Sequence, residues 1–366
     1  MEFIDLKTQY RRYQSDIDDR MRRVMEHGRF IMGPEIAELE GLLSEFVGVK
    51  HCITVASGTD SLEIALRALE IGTGDEVITV PFTWISTAEA IQLTGATPVF
   101  VDICLEDYNI DIDRIEAAIT PATKAILPVS LFGQMPDYRR LNALAAKHGL
   151  PVIEDAAQSF GATQYGHRSC GVTTIASTSF FPAKPFGCYG DGGALFTDDD
   201  NLAERMRAIR THGGVQRHHH PYLGMNGRFD TLQAAVLVAK FPYFEEEVRQ
   251  RGEAGRYYSE GLREVCEVPE VMPGNTHVYA QYTIRVPDRV KLAEGLSAAG
   301  IPTAVYYPKC LHEQPVFQGG GDRTGQFPNA EKASQTVLSL PMHPFLETST
   351  QDTIIETLCA LRENEG

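Results

Sequence analysis

The 366-residue chain lacks the cysteine spacing that metal knuckles and disulfide frameworks require. Its seven cysteines are scattered from Cys52 to Cys359 with no CxxC pair, which is typical of a reducing compartment. Basic residues are also scarce: 33 Lys and Arg stand against 49 Asp and Glu, for a net charge of −16. Because nucleic acids and anionic membranes attract electropositive surfaces, this charge disfavours both as main partners.

Long hydrophobic runs are missing as well. No apolar stretch is long enough to span a bilayer, and the segment Met1–Arg23 is charged and has no apolar core like that of a secretory signal. A soluble, cytoplasmic protein is expected. No GxGxxG fingerprint follows the first apolar run, which argues against a dinucleotide-binding dehydrogenase.

Short apolar runs alternate with amphipathic stretches between Pro34 and Phe241. The predicted strands are Cys52–Val55, Glu76–Val80, Pro98–Val101, Ala125–Ser130, Pro151–Glu154, Thr174–Phe180 and Ala194–Thr197. The predicted helices are Pro34–Phe46, Asp60–Leu69, Ser86–Leu93, Asp111–Ile119, Asp137–His148 and Asp199–Thr211. This alternation predicts an α/β fold with a large, mostly parallel seven-stranded sheet and helices on both faces.

The C-terminal third predicts a second, smaller unit. A helical stretch from Thr231 to Leu262 contains the crossing, which gives a large domain over 1–245 and a small C-terminal α/β domain over 246–366. Whether the N-terminal segment packs with the smaller unit stays open. The small unit is predicted to contain strand Tyr279–Val286, helix Val290–Ala299, strand Thr303–Tyr307, a Gly-rich loop over 319–325 and two helices.

The segments around Lys184 and Asp155 indicate which reaction chemistry to expect. Lys184 follows an apolar strand and precedes clustered glycines, so backbone surrounds it and leaves little room for solvent. Asp155 ends the strand Pro151–Asp155, at the edge of the sheet where α/β proteins bind ligands. A pyridoxal phosphate (PLP) enzyme needs an amine for its Schiff base and an acid beside the pyridine nitrogen. Taken alone, Lys184 also fits a surface turn, and Asp155 also fits a helix cap.

Other residues suit the same cofactor. Ser57-Gly58-Thr59 opens a helix directly after a strand and offers N–H groups to phosphate, although Asp60 and Glu63 also fit an ordinary capping box. Gln158 suits the phenolic oxygen of the cofactor. Trp84, the one tryptophan, offers an aromatic plane for a ring, with domain packing as the alternative.

Three further motifs were weighed. Arg228 is a candidate oxyanion or phosphate ligand, with a surface ion pair as the alternative. His218–His220 has no Asp, Glu or Cys at ligand spacing, so no metal site is predicted and a mobile loop near the ligand entrance is preferred. Gly319–Gly321 is interpreted as a flexible linker.

In chain order, these residues resemble the DegT/DnrJ/EryC1/StrS family of PLP-dependent nucleotide-sugar aminotransferases. The matching motifs are Ile31–Glu35, Ser57–Thr59, Glu154–Gln158, Ser179–Gly193, Leu232–Ala235 and Ser339–Pro344. The resemblance implies the aspartate aminotransferase-like fold (type I) and a homodimer with composite sites.

The resemblance also implies roles for single residues. Lys184 would form the Schiff base, Asp155 would pair with the pyridine nitrogen, Gln158 would lie beside the ring oxygen and Trp84 would stack on the ring. A dehydrating branch of the family has histidine in place of the lysine, and Lys184 argues against that branch.

The family resemblance assigns the cofactor phosphate to Gly58, Thr59 and Ser179, joined by Asn226 of the neighbouring subunit. One departure is Pro185, where many members have asparagine after the lysine.

The run Lys184–Gly193 is similar to that of a subgroup that aminates UDP-2-acetamido-2-deoxy-3-oxo-D-glucuronate with L-glutamate as donor, for surface polysaccharide such as O-antigen. Arg228, Tyr307 and His312 are the candidate substrate contacts. Two alternatives stay open: an aminotransferase acting on a 4-keto-6-deoxy nucleotide sugar, and a non-catalytic protein that binds PLP or a sugar nucleotide.

Overall fold

A computed structural model describes residues 1–318 and 326–363 of the chain. The helices in these residues are α1 Leu6–His27, α2 Pro34–Val47, α3 Gly58–Ala68, α4 Ser86–Leu93, α5 Ile112–Ala118, α6 Tyr138–Lys147, α7 Asp200–Arg210, α8 Thr231–Leu262, α9 Arg289–Ala298, α10 Pro328–Thr336 and α11 Thr348–Glu363. The strands are β1 His51–Val55, β2 Glu76–Thr79, β3 Thr97–Phe100, β4 Thr123–Ile126, β5 Ile153–Asp155, β6 Thr163–Gln164, β7 His167–Arg168, β8 Ile175–Ser179, β9 Gly193–Thr197, β10 Tyr282–Arg285 and β11 Val337–Leu340.

Seven strands form one twisted layer in the order β3-β2-β4-β5-β8-β9-β1. Strands β3, β2 and β4 pair in parallel, and so do β5 and β8. Parallel bridges from Ile126 to Val152 and from Val129 to Asp155 join β4 to β5. Only β9 runs against its neighbours β8 and β1 in this layer as described, so the carboxyl ends of the other six strands meet at one edge.

Both faces of this sheet are buried. Neighbouring strand residues point to opposite faces: Ile53, Val77, Ile153, Ile175 and Leu195 belong to the core under α3, α4 and α7. Their neighbours, among them Cys52, Ile78, Val152, Ala176 and Phe196, belong to the cores on the other face. Burying each large apolar side chain is worth roughly 1.5–3 kcal/mol, so a sheet covered on both sides explains why the strands are continuous apolar runs.

Local signals explain where helices begin and end. The Ser57 side chain accepts a hydrogen bond from the Asp60 N–H at the start of α3, and the Asp5 side chain caps α1 in the same way. Helix α2 begins at Pro34 and ends at Val47, and the capping residue Gly48 has a φ of 85°, which suits a residue without a Cβ atom.

The C-terminal third contains its own core, built from α8, β10, α9, β11 and α11. One prediction in this part was wrong and one strand was missed. Residues Thr303–Tyr307 form no strand but a single bridge from Ala304 to Ser339, and β11, the strand that Ala304 meets, was missed. The Gly319–Gly321 linker lies outside the described residues. The division at residue 245 falls inside α8, which is one continuous helix, and it remains a prediction.

The N-terminal helix α1 was not predicted. It packs along α8 through Tyr13 and Ile17, beside Val236 and Ala239, with Phe345 of the C-terminal part against the same cluster. Across the described residues, no helix is both long enough and apolar enough to cross a membrane.

Candidate active site

A cavity of about 340 Å³ opens at the edge of the sheet where the parallel strands end. Its walls come from the ends of β1, β5 and β8, the start of α3, the loop that leads from β2 into α4, and the turn after β8. The predicted residues that line it are Gly58, Thr59, Trp84, Asp155, Gln158, Ser179, Lys184 and Tyr307. The shared strand direction brings Asp155 and Ser179 to this edge, and Tyr307 reaches the cavity from a loop of the C-terminal part.

Asp155 is a buried carboxylate at the end of β5. Its Oδ2 accepts a hydrogen bond of 2.8 Å from the Thr87 hydroxyl, and its Oδ1 accepts one of 3.1 Å from the Ala157 N–H. Burial raises the pKa of Asp155, while these two hydrogen bonds and the nearby Lys184 amine act in the opposite direction. No ion pair within 4.0 Å compensates Asp155 among the described residues.

Lys184 reaches the same cavity from the turn after β8. The turn is held by hydrogen bonds of 2.8 Å from the Lys184 N–H to the Phe181 carbonyl and from the Cys188 N–H to the Phe180 carbonyl. Burial lowers the pKa of the Lys184 amine, and the Asp155 charge raises it in part. A lowered pKa makes the amine more available as a nucleophile and base.

The first turn of α3 offers an anion site. Gly58 lies so close to Ser179 that a Cβ atom at Gly58 would come within 2.7 Å of the Ser179 Cβ, so a larger residue would close this corner of the cavity. The Thr59 hydroxyl donates to Ser86 Oγ at 2.9 Å. Hydroxyl groups and the free N–H groups of a helix N-terminus favour a phosphate here.

Gln158 and Tyr307 form a polar pair in the cavity wall. The Gln158 Nε2 donates to the Tyr307 hydroxyl at 3.1 Å, and its Oε1 accepts from the Phe132 N–H at 2.8 Å. The amide is therefore fixed with its nitrogen toward the cavity. Trp84 lies at the mouth, 60% exposed, with its ring centroid 6.2 Å from that of Tyr307.

Asn226 and Arg228 do not line the Lys184 cavity of their own chain. They lie in a neighbouring cavity of about 390 Å³, where the Arg228 Nε donates to the Asn226 Oδ1 at 2.9 Å. Asp191 lines both cavities.

His312, a predicted substrate contact, lies outside this cavity. Its side chain is fully buried, its Nε2 lies 3.2 Å from Glu331 Oε1, and its ring packs on Phe327. It does not line the cavity, so it is not placed to contact a sugar there. The imidazole belongs to the core because the Glu331 carboxylate and the Phe327 ring pack against it.

The sequence reasoning missed several cavity residues. Thr87 holds Asp155, and its signal was a hydroxyl side chain in the first turn of the helix after Trp84. Ile4 also lines the cavity, and no sequence signal could have placed it there because the contact depends on how the N-terminal segment packs. A larger groove of about 960 Å³ lies elsewhere, along α8, and contains neither Lys184 nor Asp155.

The fold and this cavity together define a PLP-dependent transferase of fold type I. The sequence profile of the DegT/DnrJ/EryC1/StrS aminotransferase family matches residues 12–359. The chain belongs to this family, whose members are PLP-dependent, and is an aminotransferase.

Known proteins resemble this chain in sequence and in structure over nearly its whole length. The chain is 51% identical over 365 residues, covering 100% of both chains, to a UDP-2-acetamido-2-deoxy-3-oxo-D-glucuronate aminotransferase of Pseudomonas aeruginosa. A DegT DnrJ EryC1 StrS aminotransferase from Brucella abortus superimposes with a TM-score of 0.96 at 41% identity, covering 99% of each chain. NtdA from Bacillus subtilis with bound cofactor PMP gives a TM-score of 0.89 at 32% identity, covering 99% of this chain and 83% of its own. The predicted fold class is confirmed.

The cavity fits PLP. A buried carboxylate without a cationic partner costs several kcal/mol, and a protonated pyridine nitrogen beside Asp155 would remove that cost. The α3 N-terminus with Ser179 suits the phosphate, and Lys184 supplies the amine. The donor set of the cavity thus matches each charged part of the cofactor.

Proposed function

We propose that this chain transfers the amino group of L-glutamate to the 3-keto carbon of UDP-2-acetamido-2-deoxy-3-oxo-D-glucuronate. The product is the 3-amino uronate used for surface polysaccharide such as O-antigen. The observation that carries the substrate is the 51% identity with the P. aeruginosa enzyme over the full length of both chains. The match in the run Lys184–Gly193 supports the same subgroup.

Lys184 has the central role in this proposal. PLP, when bound, supplies an electron sink that stabilises negative charge on the carbon beside the amino nitrogen. Lys184 would hold the cofactor covalently through Nζ and, once displaced by glutamate, would take the proton from the α-carbon and return it to the cofactor carbon. Burial lowers the pKa of this amine, which favours the unprotonated form that the transfer needs.

The neighbouring residues orient the cofactor. The Thr87 hydroxyl and the Ala157 N–H hold the Asp155 carboxylate at the cavity. There the positive charge of a protonated pyridine nitrogen would stabilise its ionised form. Gly58, Thr59 and Ser179 would hold the phosphate, and Trp84 would cover the ring. The second half-reaction runs the same proton transfers in reverse on the keto sugar, so both substrates share the cavity.

We also propose a cytoplasmic homodimer with composite sites. Within one chain Asn226 and Arg228 lie outside the Lys184 cavity, and Phe30, Ile31, Phe181 and Leu223 are exposed apolar side chains. A second copy would bury such side chains and bring Asn226 of the partner subunit to the phosphate and Arg228 of the partner subunit to the substrate. All seven cysteines are free thiols, which suits a reducing compartment.

Mixed dimers test the composite site. Lys184→Ala and Asn226→Ala subunits, each inactive alone, are unfolded together, refolded at equal amounts and assayed. In the heterodimer one site has both a native Lys184 and a native Asn226 from opposite subunits. Random pairing therefore predicts recovery of about a quarter of native activity. No recovery would place Asn226 in the same chain as the lysine it serves.

A substrate panel tests the sugar. The enzyme is incubated with L-glutamate and either the 3-keto uronate nucleotide or a 4-keto-6-deoxy nucleotide sugar, and the product is located by NMR. We expect amination at C3 of the uronate and little turnover of the second compound. Preference for the 4-keto sugar would keep the aminotransferase and reject this substrate. No 2-oxoglutarate with either sugar would favour a binding protein.

A further inference from the structure

A second buried lysine lies behind the Lys184 turn. Lys240, in the first third of α8, is 3% exposed, and its Nζ donates a hydrogen bond to the carbonyl oxygen of Gly187. Among the described residues this is the one hydrogen bond of the Lys240 ammonium, and no carboxylate lies within 4.0 Å of it. A buried cation with so few partners is costly, which argues for a task other than stability.

The atom that Lys240 holds belongs to the turn that carries Lys184. Gly187 is packed so tightly that a Cβ atom there would lie 2.5 Å from the Pro182 carbonyl oxygen. The next residue, Cys188, donates its N–H to the Phe180 carbonyl at 2.8 Å, which closes the turn. The hydrogen bond from Lys240 to the Gly187 carbonyl therefore restrains the same closed turn of backbone that positions Lys184.

We propose that Lys240 is a positioning residue that holds the Lys184 turn from behind through Gly187, and that loss of its proton loosens this turn. The proposal rests on the proposed role of Lys184. The loosening of the turn itself can be measured without cofactor or substrate.

Charged and titratable groups surround Lys240 on each side. Burial is the main cause that lowers the pKa of Lys240, to about 8, while Glu247 and Cys188 raise it and Arg251 lowers it. The ring of Tyr189, from the turn, lies 5.6 Å from Nζ. From α1, the Gln9 amide donates to both Glu247 oxygens and Tyr13 faces the same carboxylate.

The direction of the pH effect follows from these contacts. Below pH 8 the ammonium makes a charge-assisted hydrogen bond to Gly187, and above pH 8 the neutral amine makes a weaker one. In the unfolded chain the lysine keeps its proton to higher pH. Because the pKa of Lys240 is lower in the folded chain, overall stability rises as pH increases above 8, so loss of the charge can loosen the turn only through openings that break the bond to Gly187 and leave Lys240 buried.

Hydrogen exchange of the cofactor-free protein tests this. Protection of the peptide that spans Phe181–Gly190 is followed by mass spectrometry from pH 6.5 to 9.5, after correction for intrinsic exchange. In the native chain we expect protection of this peptide to fall about fivefold as pH rises through 8, because the hydrogen bond loses its charge assistance. Lys240→Met should show the lower protection at both ends of the range.

The control is Lys147→Met, which removes an exposed lysine of α6 that pairs with Glu116. It should leave the protection of Phe181–Gly190 and its pH dependence as in the native chain. If protection in the native chain does not change across pH 8 relative to the rest of the sheet, the proposal is overturned, whether or not Lys240→Met folds. It is also overturned if Lys240→Met folds and its turn is as protected as in the native chain. Failure of Lys184 to bind PLP would instead reject the proposed function and leave this result intact.

Discussion

Thr87 provides a sharp test of how the site holds its buried charge. Thr87→Val keeps the shape of the side chain but removes the hydroxyl that donates to Asp155 Oδ2 at 2.8 Å. A hydrogen bond to a charged group contributes about 1.5–3 kcal/mol. Because this hydrogen bond favours the ionised carboxylate, the variant should raise the pKa of Asp155 further.

The stability change has a defined sign. Burial already raises the pKa of Asp155 above its unfolded value of 3.8, so ionisation of this carboxylate costs folding free energy at neutral pH. The cost is absent below the unfolded pKa and complete above the folded pKa. Thr87→Val should therefore lower the free energy of unfolding of the cofactor-free protein by about 1.5–3 kcal/mol at pH 7.5. The loss should shrink as pH falls through the raised pKa.

Thr79→Val is the matched control. Thr79 is also fully buried, but its hydroxyl donates to the uncharged carbonyl of Leu127 at 2.8 Å. Its loss should cost about 1 kcal/mol at every pH. Urea unfolding of both variants between pH 5 and 8 gives the comparison. Equal, pH-independent losses would refute the view that Thr87 supports an ionised Asp155.

Three further predictions concern activity. Lys184→Ala should abolish turnover but still bind PLP without a covalent link, as shown by activity and by the absorbance retained after gel filtration; native turnover would reject the role of Lys184. Since His312 is buried away from the cavity, His312→Gln should leave the KM values for glutamate and for the sugar within about twofold of native. Tyr307→Phe should raise KM for the sugar severalfold, because Tyr307 lines the cavity. The reverse pattern in steady-state kinetics would contradict this description of the site. Because the pKa of Lys184 is lowered by burial and raised by Asp155, uptake of PLP should slow as pH falls through that pKa, and Asp155→Asn should move this fall to lower pH in stopped-flow measurements.

Much of the sheet was predictable because its strands are buried on both faces. Each predicted strand from Cys52–Val55 to Ala194–Thr197 overlaps an observed one, since β-branched runs between helices leave few other structures. The strand β11 was missed because its four residues follow α10 without a turn. Helix α1 was missed because most of its residues are charged or polar and only a narrow apolar face, which includes Tyr13 and Ile17, is buried.

The site was predictable where a strand end fixes the position of a residue. Asp155 and Ser179 end parallel strands and line the cavity as expected. His312 follows no such element, and the sequence cannot tell which side of its loop faces the cavity. The role proposed for Asn226 needs a second subunit, whose position is not contained in the pattern of one chain.

The central claim is that Lys184 holds the cofactor, and reduction of the PLP-loaded protein with borohydride tests it most directly. Reduction makes the link between lysine and cofactor permanent, and peptide mass spectrometry then locates it. The account predicts the added mass on Lys184 alone, with the buried lysine behind its turn, Lys240, unmodified. Label on Lys240 or on any other lysine, with Lys184 free, would contradict the account.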